Sequence, residues 1–342
     1  MTSTTPLSRR SFATHTAVML SGMSLGQVLI GNAQAADKTF TIAPALGPLK
    51  TIEAGELSVG YVDLGPAKGP AVVLLHGWPY DIHAFVDVAP RLVAAGYRVV
   101  IPYLRGYGPT RFLSDGTVRN AQQSAVALDV LALMDALEIK QAVVGAFDWG
   151  ARTACIMAAL WPDRVRGLVS VSGYLIGSPK VNSKSGPAAA EFAWWYQSYL
   201  CTDRGRDGYA ADPVAFNRFI WQQASPKWKF DDATYLRSAQ AFDNPDHVTI
   251  VVHNYRWRVG LTQGEARFDA FEARLAASPT ISVPTITMEA DANGAPHPAP
   301  ANYKARFTGK YQHRQLEAPI GHNLPQEAPE AFAQAILDVT RL

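Results

Sequence analysis

Val144-Gly145-Ala146-Phe147-Asp148-Trp149-Gly150-Ala151 is the stretch around which the rest of this sequence organises itself. Ala142 to Ala146 is a short apolar run of the kind that forms a fully buried strand, and a helical pattern follows from Gly150 to Leu160. Small residues, Ala146 and Gly150, stand two places before and two places after Asp148. Such flanks permit a tight strand-to-helix turn whose apex side chain projects above the sheet, beside a helix N-terminus that favours negative charge. A carboxylate at that apex is ionised at neutral pH and can attack an alkyl carbon by displacement. The competing interpretation is that Asp148 merely caps the helix. What decides between them is whether the rest of a catalytic set is present in order.

Working outward, Val72-Val73-Leu74-Leu75, Arg98 to Pro102 and Leu168 to Val171 read as further buried strands, with a helix from Ala121 to Leu137. Its apolar face carries Val126, Val130, Leu133 and Leu137. The pattern resumes with a strand at Thr285 to Met288, another at Gln312 to Glu317, and a last helix from about Gln326 to Arg341. Strands alternating with helices predict an α/β fold: a mostly parallel twisted sheet covered by helices on both faces. Between Tyr174 and Thr280 lie 18 of the 35 aromatic residues, five of the eight tryptophans among them, in a mostly helical stretch punctuated by prolines. A helical cap inserted over the carboxyl edge of the sheet, where open α/β sheets bind ligands, accounts for it. Many of those aromatics also serve as ordinary core. The expected division is an export segment at 1–36, a first part of the core at 37–174, a helical cap at 175–280 and a second part of the core at 281–342.

The N-terminus supports that first boundary. Ser8-Arg9-Arg10-Ser11-Phe12, a weakly apolar stretch and Ala33-Gln34-Ala35 together make a twin-arginine export signal with a small-residue cleavage site. Polar interruptions argue against a membrane span, so a periplasmic or secreted protein is expected. The 342 residues are 48% hydrophobic and 18% charged, with a formal charge of +2, values that exclude a disordered chain and point to neither nucleic acid nor an anionic membrane as partner. Two cysteines, Cys155 and Cys201, make no disulfide framework, and two buried free thiols are expected rather than a bridge. No histidine, cysteine or carboxylate spacing suggests a metal. The sequence leaves monomer and homodimer open.

The other parts of a catalytic set do appear. His76-Gly77-Trp78-Pro79 follows the strand ending at Leu75, and a His-Gly turn there lets the next backbone N–H face the nucleophile. The N–H groups of Trp78 and Trp149 would then form an oxyanion hole. Gly321-His322-Asn323-Leu324-Pro325 follows the final strand and places His322 as general base. The carboxylate that orients the imidazole is expected at Asp291, where the strand after the cap ends. Glu289 is the rival, since strand alternation alone does not exclude it.

With Asp148-Trp149, His76-Gly77-Trp78-Pro79, Asp291 and His322 in this order, the chain from about residue 45 to its end resembles the epoxide hydrolase and haloalkane dehalogenase branch of the α/β-hydrolases. Arg105-Gly106-Tyr107-Gly108 fits the same pattern. The resemblance implies two cap tyrosines that protonate an opening epoxide, one in a Tyr-Gln pair and one in a Tyr-Arg pair. Those look like Tyr196-Gln197 and Tyr255-Arg256. A tyrosine suits the task because an alkoxide leaving group needs a proton, whereas a halide does not. The resemblance further implies a cofactor-independent hydrolase, with His76, Pro79, Gln197 and Trp149 lining the substrate site and an apolar or aromatic epoxide as substrate. Ala146 and Met288 replace glycines usual in the family. The alternatives are a haloalkane or haloacid dehalogenase using the same Asp-His-Asp set, and a non-catalytic protein that retains the pocket.

Overall fold

The computed structural model describes residues 40–295 and 298–342; the export segment expected at 1–36 lies outside the described residues. Among these, nine strands form one sheet: β1 (Lys50–Ala54), β2 (Leu57–Leu64), β3 (Ala71–Leu75), β4 (Arg98–Pro102), β5 (Arg111–Phe112), β6 (Ala142–Ala146), β7 (Val165–Val171), β8 (Thr285–Ala290) and β9 (Tyr311–Leu316). They lie in the order β1-β2-β4-β3-β6-β7-β8-β9, with β5 paired to β2. The pairs β1–β2 and β2–β4 are antiparallel, and every pair from β4 to β9 is parallel. The sheet is therefore the mostly parallel one the sequence predicts. Its central strands β3, β6 and β7 are buried almost throughout, as their apolar runs require.

Helices cover both faces. Of the helices before β7, α1 (Ala89–Ala94) packs against the C-terminal helix, while α2 (Gln123–Ala136) and α3 (Asp148–Leu160) pack on each other. Between β7 and β8 the chain runs through α4 (Pro179–Asn182), α5 (Ala188–Ala193), α6 (Trp195–Cys201), α7 (Asp203–Ala211), α8 (Pro213–Ala224), α9 (Asp232–Ala239), α10 (His247–Arg258) and α11 (Asp269–Ala276). Their starts are written locally: Thr202, Asp212 and Asp231 each accept a hydrogen bond from a backbone N–H of the first turn of α7, α8 and α9. Trp221 ties this insertion to the core. Its indole stacks on Tyr80 at 4.9 Å and donates to Pro79 O at 2.7 Å.

Two elements depart from the sequence reading. The β1–β2 hairpin carries no long apolar run, and β1 is largely exposed, so its signal is weak. The single helix expected from Gln326 to Arg341 is two, α12 (Leu324–Glu327) and α13 (Pro329–Val339). Pro329 has no N–H to continue the ladder, and Ala328 before it leaves helical geometry at φ −139° and ψ 60°. Both cysteines are free, Cys155 buried and Cys201 only half-buried. No helix of the described residues is long and apolar enough to cross a membrane.

The sheet register sets up the site. Leu75, Ala146 and Ser170 stand opposite one another at the carboxyl ends of β3, β6 and β7. The turns leaving β3 and β6 are thereby neighbours, and the insertion after β7 passes over both.

Candidate active site

Asp148 opens α3 with φ at +51°, a backbone region that L-residues rarely occupy. Gly150 makes that turn possible, because a Cβ there would lie 2.1 Å from the Leu75 carbonyl oxygen. Gly77 does the same on the opposite side. A Cβ at Gly77 would lie 2.2 Å from Asp148 Oδ1 and 2.6 Å from the Trp149 nitrogen. The two glycines let the turns after β3 and β6 close on one another.

The result is a carboxylate with two distinct oxygens. Oδ1 accepts from the Trp78 N–H at 2.8 Å and from the Trp149 N–H at 2.6 Å. Oδ2 faces His322 Nε2 at 3.3 Å. Burial pushes the Asp148 pKa up, but the hydrogen bond and charge of His322, with the Trp149 N–H, outweigh it and hold the acid below its usual value. Asp148 is therefore ionised across the physiological range.

His322 reaches this position because its loop is fastened from behind. Its N–H donates to Ser225 Oγ at 3.0 Å and to Ala224 O at 3.2 Å, at the end of α8. Ser225 Oγ donates in turn to Glu327 Oε1 at 2.7 Å, and Glu327 Oε2 accepts from the Gly321 N–H at 2.8 Å. Burial raises the Glu327 pKa against these hydrogen bonds. This clasp joins the cap to the histidine loop. Glu327, five residues beyond His322, was visible in the sequence, but its partner Ser225 lies some hundred residues away and only the fold brings it near.

A cavity of about 310 Å³ opens beside Asp148, walled by Trp149, Arg152, Tyr196, Gln197, Tyr255 and Arg258, among others. A second space of about 10 Å³, bounded by Asp148, His322, Pro79 and Tyr80, has room for one water. Over Asp148 the rings of Trp78, Tyr196 and Tyr255 form a triangle, with centroids 5.0, 5.4 and 5.8 Å apart. Trp149 adds an edge contact to Tyr255 at 5.9 Å. Burial, together with neighbouring Asp148, raises the pKa of Tyr196; burial, neighbouring Tyr196 and Asp148 raise that of Tyr255. Both phenols hold their protons at any ordinary pH.

The remaining sequence-picked residues sit as follows. His76 is fully buried below the turn: Leu104 N–H donates to its Nε2, so Nδ1 carries the proton and donates to Gly77 O. Burial lowers its pKa to about 4, keeping it neutral. It shapes the turn and does not wall either space. Asp291 stands exposed at the end of β8, and among the described residues no hydrogen bond joins it to His322. Glu289 is half-buried and accepts from Asn293 Nδ2 at 2.9 Å. The sequence reading did not single out the chain that steadies Trp78. Its indole N–H donates to Tyr209 Oη at 3.0 Å, the Tyr209 hydroxyl donates to His247 Nε2 at 2.8 Å, and His247 Nδ1 donates to Gly106 O at 2.9 Å.

Comparison with known proteins agrees with this fold. The family model of the alpha/beta hydrolase fold matches residues 70–206. A crystal structure of a provisionally assigned epoxide hydrolase from Klebsiella pneumoniae superposes with a TM-score of 0.87 at 59% identity, covering 87% of this chain and 99% of that one. Epoxide hydrolase B of Mycobacterium tuberculosis is 36% identical over 151 residues, 40% of this chain and 42% of its own. Haloalkane dehalogenase of Mycobacterium marinum is 34% identical over 123 residues, 35% of this chain and 39% of its own. The match thus spans about two fifths of the length of these two relatives.

Proposed function

The chain is an epoxide-hydrolase-like member of the α/β-hydrolase family, and on that premise we propose that it hydrolyses a small-molecule epoxide to a vicinal diol through an alkyl ester of Asp148. The observation that carries the reading is that Tyr196 and Tyr255, from two different cap helices, wall the same cavity as Asp148. Asp148 Oδ2 attacks an epoxide carbon, the carbon–oxygen bond breaks, and the departing oxygen takes a proton from a tyrosine. Oδ1 becomes the ester carbonyl, already seated on the Trp78 and Trp149 N–H groups.

His322 then takes a proton from a water, which attacks the ester carbonyl carbon. The negative charge that develops on Oδ1 falls on the same two donors, each worth about 3 kcal/mol in comparable sites. Collapse breaks the bond between the carbonyl carbon and Oδ2. The departing alkoxide takes the proton held by His322 and leaves as the diol with Oδ2 as its new oxygen, while the water oxygen stays in the carboxylate and its remaining proton returns to the tyrosinate. Asp291 is proposed as the group that steadies the imidazolium, supported by its chain order alone, after Asp148 and ahead of His322.

The test uses the leaving group. Tyr196→Phe and Tyr255→Phe should each slow ester formation from styrene oxide roughly tenfold to a hundredfold, and the double variant should abolish it. Similarity to a haloalkane dehalogenase makes a halide the competing outcome. In that case the double variant keeps most of its activity on 1-bromobutane, and Trp149→Phe is the damaging change. Near-normal epoxide opening by the double variant would overturn the role of both tyrosines.

A further inference from the structure

Two cations in the cavity have no part in opening an epoxide. Arg152 lies one helical turn after Asp148 on α3, and Arg258 lies one turn after Tyr255 on α10, so each shares a helix face with a residue of the reaction. Both are half-buried and both wall the cavity. Arg152 donates to Asn254 Oδ1 at 3.1 Å, and among the described residues neither guanidinium forms an ion pair with a carboxylate. Arg166, Arg204, Arg274 and Arg306 also lack one, but those are exposed and solvated, and half-buried Arg237 on α9 lies near Asp231 and outside this cavity. A guanidinium partly withdrawn from water without an ion-pair partner is costly, and burial with neighbouring Arg258 lowers the Arg152 pKa to about 9 against the opposing pull of the Asp148 charge. It remains charged at neutral pH.

Charge counting narrows what fits. The cavity wall carries Arg152, Arg258 and the exposed Lys184 against the carboxylates of Asp148 and Glu191, an excess of one positive charge. Asp148 must stay ionised to react, so it repels a dianion more than a monoanion. A planar carboxylate suits a guanidinium fork, which can bind it through two parallel hydrogen bonds.

Resting on the reading of this site as an epoxide-opening one, we propose that its substrate is a monocarboxylic acid bearing the epoxide, with the carboxylate bound by Arg152 and Arg258 while the rest of the molecule lies on the Trp78, Tyr196 and Tyr255 rings. Substrate charge then fixes which carbon faces Asp148. The two arginines are substrate-binding residues, and their work is done in the bound complex before any bond breaks.

The test compares trans-3-phenylglycidate with 3-phenylglycidamide, which have the same rings and differ by one charge. The wild-type protein should prefer the acid at least tenfold in kcat/KM. Arg258→Gln and Arg152→Gln should each bring that ratio toward one, chiefly through KM for the acid. Equal rates on the two substrates in the wild type would overturn the proposal while leaving epoxide hydrolysis intact. So would variants in which both substrates slow together at an unchanged ratio, since the arginines would then act through the tyrosines. If neither compound turns over, the epoxide reading fails separately. Calorimetry with unreactive 3-phenyllactate and its amide then decides: tighter binding of the acid, lost in Arg258→Gln, supports the anion site, and equal binding overturns it.

Discussion

Asp148 combines a rarely occupied backbone conformation with a carboxylate whose two oxygens have different partners, and its chemistry follows from that asymmetry. The oxygen held by two N–H groups is the poorer nucleophile and the better carbonyl; the oxygen facing His322 is the reverse. The pH dependence of ester formation follows. The folded-state pKa of Asp148 is depressed, so the reactive anion is present above the ordinary carboxylate value and is lost only as pH falls below it. The tyrosine pKa values are raised, so the proton donors persist beyond their ordinary value and are lost only at higher pH. Single-turnover ester formation should therefore be flat from about pH 5 to about pH 9. A midpoint inside that window, followed by stopped-flow tryptophan fluorescence, would contradict these assignments. At this scale the sequence was most legible where chemistry is local. Asp148 between Ala146 and Gly150 announces a turn by itself, and Arg152 could have been noticed one turn further along. The exposure of Asp291 was not legible, because position at a strand end does not set where the side chain points.

The elements are joined where the function needs them to hold still. Glu327 of α12 grips Ser225 at the end of α8 and the Gly321 N–H before His322, so cap and histidine loop are held by one side chain. Glu327→Ala should remove both hydrogen bonds and leave the Gly321 N–H without its partner, costing on the order of 1–3 kcal/mol in denaturant unfolding. Because the clasp carries His322 and not the Asp148 turn, hydrolysis of the ester should slow more than its formation, and the ester should accumulate. Mass spectrometry of the intact protein during turnover reads this directly; equal slowing of both steps would show that Glu327 serves stability alone. Strands β3, β6 and β7 were legible because buried parallel strands are short apolar runs. The break at Pro329 could also have been read from the missing N–H. The clasp could not, since nothing local to Ser225 marks its partner.

Across the molecule, the loop after β4 is locked to the opening hairpin and to α2 through one buried guanidinium. Arg105 makes a two-pronged pair with Asp129 at 2.6 and 2.7 Å, binds Asn120 O at 2.9 Å and reaches Glu56 at 3.2 Å. Removing one partner of a buried pair leaves the other charge uncompensated, so Arg105→Met should cost about 3–5 kcal/mol. Unfolding in urea checks it, and a loss below 1 kcal/mol would mean the network contributes little. The β1–β2 hairpin that Arg105 anchors is also the part of the sheet the sequence least revealed. Its strands are held by antiparallel pairing and by this ion pair, neither of which leaves a run of apolar residues behind.

The covalent route through Asp148 is the claim from which the other roles descend, and one turnover in heavy-oxygen water addresses it. With enzyme in excess over styrene oxide, the diol should carry only light oxygen, because its new hydroxyl comes from Oδ2, and the heavy atom should be found in the Asp148 carboxylate. Heavy oxygen in the diol from that first turnover would mean that water attacks the epoxide itself and that Asp148 is not the nucleophile.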